Sequence, residues 1–153
     1  MSISKEQQLW DASSKGNLDL VVQLAKDPFV NVNWIGPDRN DLLIHRACRF
    51  GHVEVVEILL QHPAVDVNAA NAGKATLLYI ACQEGHVAVV SLLLKDPRID
   101  VNQPDHEDVT PFYMACQNEH RDVVSLHADP RIDPTLQRKG EPLLSSLRVK
   151  KAS

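Results

Sequence analysis

No stretch of the chain approaches the roughly 18 consecutive apolar residues that a membrane helix needs. The start, Met1-Ser2-Ile3-Ser4-Lys5-Glu6-Gln7-Gln8, also lacks the apolar segment of a signal peptide. A basic excess is missing too: the 153 residues carry a formal net charge of -4, which argues against a nucleic-acid partner. Basic residues gather only near the end, where residues 121–153 hold seven Lys/Arg against four Asp/Glu. A basic end of this kind is ordinarily a solvated surface. There is no G-x-S-x-G nucleophile turn and no phosphate-cradling G-x-x-x-x-G-K-[ST] loop. Neither an enzymatic role nor a cofactor is therefore expected. Cysteines number three, an odd count that suits free thiols in a reducing compartment, and so a cytoplasmic protein.

What the chain does have is repetition. Ala47-Cys48-Arg49-Phe50-Gly51-His52 recurs 34 residues later as Ala81-Cys82-Gln83-Glu84-Gly85-His86. It returns after another 34 as Ala115-Cys116-Gln117-Asn118-Glu119-His120, and a fainter copy precedes it at Ala12 to Asn17. Pro28, Pro63, Pro97 and Pro130 keep the same step, as do Val32-Asn33, Val67-Asn68 and Val101-Asn102. Several landmarks in one register define a repeat; a single Gly-His pair would define nothing.

Within a copy the pattern gives two short helices, Leu77 to Glu84 and Val87 to Leu94 in the third. Both fall short of the roughly 12–15 residues at which an isolated helix becomes even marginal in water. Neighbouring copies must hold them, so stacked units share one continuous core. Gly51 and Gly85 lie between the helices, where a positive φ suits glycine. Pro63 and Pro97 end the second helix, and the Asp-Val-Asn segments lead into a turn-rich connection.

These units resemble the ankyrin repeat. The family's Thr-Pro-Leu-His-x-Ala opening is closest at Thr110-Pro111-Phe112-Tyr113-Met114-Ala115 and looser at Thr76 to Ala81 and Leu42 to Ala47. Its Gly-His-x-x-Val-Val matches Gly51 to Val56 and Gly85 to Val90, and its Asp-Val-Asn matches 66–68 and 100–102. The resemblance covers about residues 5–147. It divides the single domain into copies at about 5–38, 39–73, 74–107 and 108–140, with an incomplete one at 141–149. It implies an all-α solenoid of stacked helix-turn-helix units joined by hairpin-like loops. It also implies a protein-binding role with no cofactor, the first helices of the copies lining a concave face.

Four departures stand out. Leu42-Leu43 replaces Thr-Pro, so the third helix loses its capping hydroxyl at a cost of ~1 kcal/mol unless Asp41 substitutes. Glu119 replaces the turn glycine, and a left-handed non-glycine residue costs roughly 1 kcal/mol. The segment Val124 to Asp129 is one residue shorter than its counterpart Val90 to Asp96, with His127 and Ala128 in place of leucines, so that helix should bury less. The last copy stops after Leu147. Leu143, Leu144 and Leu147 could then support weak self-association through that end.

Cys48, Cys82 and Cys116 hold equivalent positions in successive copies. Stacked helices sit roughly 8–10 Å apart, too far for the roughly 7 Å limit of a disulfide or for the tighter convergence of a zinc site. Small buried packing residues are the simpler reading. His52, His86 and His120 form a second ladder, better explained by structural hydrogen bonds than by ligation. None of the other histidines falls in a metal-ligand spacing. Asp66 and Asp100 read as turn residues.

If the repeat is a frame, information lies where the copies differ. The pairs before the turns differ: Arg49-Phe50, Gln83-Glu84 and Gln117-Asn118. So do the loop tips Arg39, Asn40 and Asp41; Ala72, Lys74 and Ala75; and His106, Glu107 and Val109. First-helix positions Arg46, Ile80 and Met114 differ and flank the concave face. Aromatic and arginine residues are favoured interface anchors, so Arg46, Arg49 and Phe50 lead the partner-binding candidates. Trp34 should pack under its loop. The leading functional class is a module binding a partner protein. The alternatives are a truncated or edited fragment of a longer array without binding activity, and a regulatory segment whose active domain lies elsewhere.

Overall fold

The computed structural model describes residues 2–132. The fourth copy's end, the incomplete copy at 141–149 and its three leucines therefore lie outside the described residues. The described residues form four helix pairs: α1 (Lys5–Lys15) with α2 (Leu18–Ala25), α3 (Leu43–Arg49) with α4 (Val53–Gln61), α5 (Leu77–Glu84) with α6 (Val87–Leu94), and α7 (Pro111–Gln117) with α8 (Arg121–Val124). A 3-10 turn, Ser125–Ala128, continues α8. The expected spans for α5 and α6 are met. The inner helices α1, α3, α5 and α7 pack side by side, and the outer helices α2, α4, α6 and α8 form a second row. This is the all-α solenoid anticipated from the repeat. Among the described residues the β geometry reduces to one bridge, Ile35 with Leu42, at the base of the first loop.

The helix starts follow local chemistry. Ser4, Asn17, Thr76 and Thr110 each accept a hydrogen bond from a backbone N–H of the first turn, satisfying one of the orphan donors. The third helix needed another device, and Asp41 does not supply it. Instead His45, one turn inside, accepts from the Leu42 N–H through Nδ1 at 3.0 Å. Its Nε2–H donates to the Ala69 carbonyl at 3.0 Å. That pair of bonds requires the neutral ring, and burial holds His45 below the ordinary histidine range.

Three ladders tie the copies together. In the first, the histidine after each turn donates Nε2–H to a carbonyl of the preceding inner helix: His52 to Ser14 at 2.9 Å, His86 to Arg49 at 2.8 Å, His120 to Gln83 at 2.7 Å. The glycine ahead of each ring permits this. Gly85 has φ 77°, and a Cβ there would stand 2.5 Å from His120 Nδ1. In the second, asparagine side chains donate to carbonyls one copy on: Asn33 to Ala64, Asn68 to Arg98, Asn102 to Arg131. Asp66 and Asp100 sit just ahead as turn residues, accepting from the Asn68 and Asn102 N–H groups. In the third, the loops bond main chain to main chain, Ala72 N to Arg39 O and His106 N to Gly73 O, both 3.1 Å.

The far end is thinner. Glu119 takes the left-handed conformation, φ 61°, as its turn position demands. Helix α8 buries only Val123, where α6 buries Val89, Val90 and Leu93.

Two outcomes follow. Gly85→Ala should cost roughly 2 kcal/mol in urea unfolding, from the left-handed backbone and the displaced His120 bond. Glu119→Gly should instead stabilise by up to about 1 kcal/mol; similar losses from both would contradict the assignment. Because the folded His45 binds its proton less readily than the unfolded chain, its contribution is full above the unfolded value, about 6.5. It should fall as pH drops below that. Unfolding midpoints at stepped pH should show this decline, and His45→Tyr, the residue used by the next two copies, should flatten it.

Candidate functional site

The ends of the inner helices carry the side chains that differ between copies. Arg46, on α3, lies with its guanidinium carbon 4.4 Å from the centre of the Trp10 ring and 4.8 Å from that of Phe50. Its Nε donates to Ser14 Oγ at 3.2 Å, and its Nη1 stands 3.8 Å from Asp38. The side chain is 15% exposed. Phe50 caps α3 one turn later and remains 45% exposed, an unusual position for an aromatic ring.

Trp10 is the residue that sequence reasoning missed. It sits 35 residues before His45, in the register continued by Tyr79 and Tyr113. That register pairs a ring with the base of the following loop. Tyr79 donates its hydroxyl to Asp105 at 2.8 Å, which, after burial itself, raises the phenol above its ordinary range. Under Trp10 the matching residue is Gly36, where a Cβ would come within 2.1 Å of the indole nitrogen. The large ring and the missing side chain compensate each other, although Trp10 Nε1 is buried without an acceptor. The repeat register was the signal that could have found this pair.

Arg49 is not the open contact expected of it. It reaches back to Asp41, Nη2 to Oδ2 at 3.0 Å with Nε on the same oxygen at 3.3 Å. Asn71 Nδ2 adds a third donor at 2.9 Å. Asp41 is fully buried and Arg49 is 11% exposed. At Asp41's register the later copies have Ala75 and Val109, also buried rather than exposed at the tips. A carboxylate in that apolar slot requires a cation, and Arg49 supplies it, where the later copies have Gln83 and Gln117. Glu84, 40% exposed, stands 3.7 Å from Arg49 Nη1.

Ile80 is a second correction. Its short apolar side chain lies down between the flanking helices α3 and α7 and is fully buried, leaving no surface to a partner. Gln83 and Met114 are half-buried, while Gln117 and Asn118 are exposed. Asn118 Nδ2 donates to the Gln83 carbonyl at 3.1 Å and faces Met114 Sδ at 3.4 Å. His106 is exposed at the third loop tip, its Nδ1–H donating to the Gly73 carbonyl at 2.9 Å. Arg39, Asn40, Lys74, Ala72 and Glu107 are exposed tip residues, and Trp34 is packed against the core.

The three cysteines form no disulfide and are buried, and burial pushes the Cys48 and Cys82 thiols up, away from the reactive thiolate. Among the described residues no three His, Cys, Asp or Glu side chains converge as metal ligands. Nor is any described helix long and apolar enough to cross a membrane.

Helix pairs at a 34-residue step, turn glycines under histidine rings and hairpin loops define a class of stacked-repeat proteins. A family model described as ankyrin repeats in three copies matches residues 9–105 and 65–138. The chain belongs to the ankyrin-repeat family. Ankyrin repeats are in general protein-interaction modules, and the family is typically non-enzymatic. No curated protein matches the sequence.

The buried pair makes a sharp test. Arg49→Ala should destabilise by about 3–5 kcal/mol in chemical denaturation, because it strands a buried carboxylate. The double change Asp41→Ala with Arg49→Gln, copying the next repeat, should recover most of that loss. If the single variant unfolds like the parent chain, the pair has been misread.

Proposed function

We propose that the chain is an interaction module, or scaffold, that binds a partner protein across its inner helix row and loop tips. One observation carries this reading. Lys15, Phe50, Glu84 and Asn118 occupy the same repeat position, and all four are exposed. A cation, an aromatic ring, an anion and an amide share one place on a frame that otherwise repeats its hydrogen bonds. A purely structural position would repeat its chemistry as His52, His86 and His120 do.

Within this surface Phe50 and Arg46 are the central contacts. Glu84, Gln83, Gln117, Asn118, Met114 and His106 extend it along α5, α7 and the third loop, while Arg49 serves the frame. The buried cysteines outside any disulfide favour a reducing, cytoplasmic setting. In this role the chain needs no cofactor, and the net charge of -4 disfavours nucleic acid.

The test is affinity capture with the immobilised chain and its Phe50→Ala variant, after their melting temperatures have been matched. At least one captured protein should bind the variant about ten-fold less well, as expected for a partly buried aromatic anchor. Equal retention of every captured protein would move the contact away from Phe50, and capture of none would favour the fragment without binding activity.

A further inference from the structure

We infer that the partner segment bound by the inner row is an acidic peptide, seating a carboxylate on the Nη edge of Arg46 and an apolar side chain on Phe50. This rests on the interaction reading above and gives the partner a chemistry.

The guanidinium is already fixed. Its guanidinium carbon lies over the Trp10 ring at 4.4 Å and over the Phe50 ring at 4.8 Å, and Ser14 takes the Nε–H. A side chain held in this way loses little further freedom when it binds. Its Nη groups are the open part. The acid beside them, Asp38, stands at 3.8 Å, beyond hydrogen-bond length, on a side chain 59% exposed. Among the described residues the Nη donors therefore have no protein acceptor. A planar pair of N–H groups on a guanidinium held against two aromatic rings suits the two oxygens of a carboxylate.

The surroundings choose the anion. Asp38 lies beside Arg46, and Glu84 lies 3.7 Å from the neighbouring Arg49. Arg49 itself is committed to Asp41. A guanidinium flanked by these acids suits a monoanion better than a doubly charged phosphate. Phe50, 45% exposed and stacked on the same guanidinium, supplies the apolar neighbour. A partner carboxylate would displace Asp38 and complete the hydrogen bonds that Asp38 does not make.

Selection of displayed random 12-residue peptides against the folded chain tests this. Each selected sequence is then synthesised in acid, amide (Asp→Asn or Glu→Gln) and phosphoserine forms. Trp10 fluorescence reads binding, since the indole touches Arg46. Selected peptides should share an acidic residue beside an apolar one. The amide form and Arg46→Gln should each weaken binding by about ten-fold or more. Asp38→Asn should strengthen it by about three-fold, the modest gain from removing an exposed competing charge. The phosphoserine form should bind no better than the acid. Asp38 is a surface residue, so its variant decides the matter even if Arg46→Gln is poorly folded. No binding peptides, peptides without acid enrichment, tighter binding of the phosphoserine form, or indifference to Asp38→Asn would overturn the inference. Peptides that lose affinity with Phe50→Ala yet ignore Arg46→Gln and Asp38→Asn would overturn it while leaving the interaction module standing.

Discussion

A histidine N–H reaching back across a glycine to a carbonyl of the previous inner helix is the contact on which this array depends. Helices of seven to eleven residues line the inner row, and none would persist alone in water. Apolar burial supplies the drive to stack, but it does not set the register. The histidine does, because its Nε2 meets one carbonyl: Ser14, Arg49 or Gln83. The turn glycine follows from that ring, since any side chain at Gly16, Gly51 or Gly85 would enter it. The asparagine and loop ladders then repeat the lock on the other edges of the stack.

A frame fixed in this way can vary elsewhere, and the variations are coupled in space. Trp10 goes with Gly36, Tyr79 with Asp105, and Asp41 with Arg49 and Asn71. At the start of α3, which lacks the threonine cap of the next two copies, His45 accepts instead from the Leu42 N–H. Each exception is balanced within one or two repeats, so none propagates through the stack. At the outer end the balance thins, as the short α8 and left-handed Glu119 show.

The frame was legible because its signals are short-range and recur. Thr76 and Gly85 bracket α5, and His86 and the run of aliphatic residues mark α6, so their ends could be placed from sequence. The histidine ladder and the turn aspartates also declared themselves by register. The site was less legible because exposure depends on partners outside the local pattern. Arg49 and Ile80 differ from their counterparts in other copies and so looked like contacts. One is drawn onto a buried carboxylate eight residues earlier, and the other is sandwiched between two helices. Variation between copies marks a partner exchange as readily as a binding surface, and sequence alone does not separate them. Trp10 was overlooked for the converse reason: its faint copy hides the register that places it under Arg46.

The proposed separation of frame from binding surface rests on the exposed row Lys15, Phe50, Glu84 and Asn118, with the Arg46 guanidinium over the Phe50 ring. The most direct test of that separation is the amide NMR spectrum of the chain titrated with the first partner or peptide found to bind it. Shifts should concentrate at Arg46, Phe50, Glu84, Gln117, Asn118 and the loop tips, with the outer helices α2, α4 and α6 unmoved. Shifts centred on those outer helices would contradict the account.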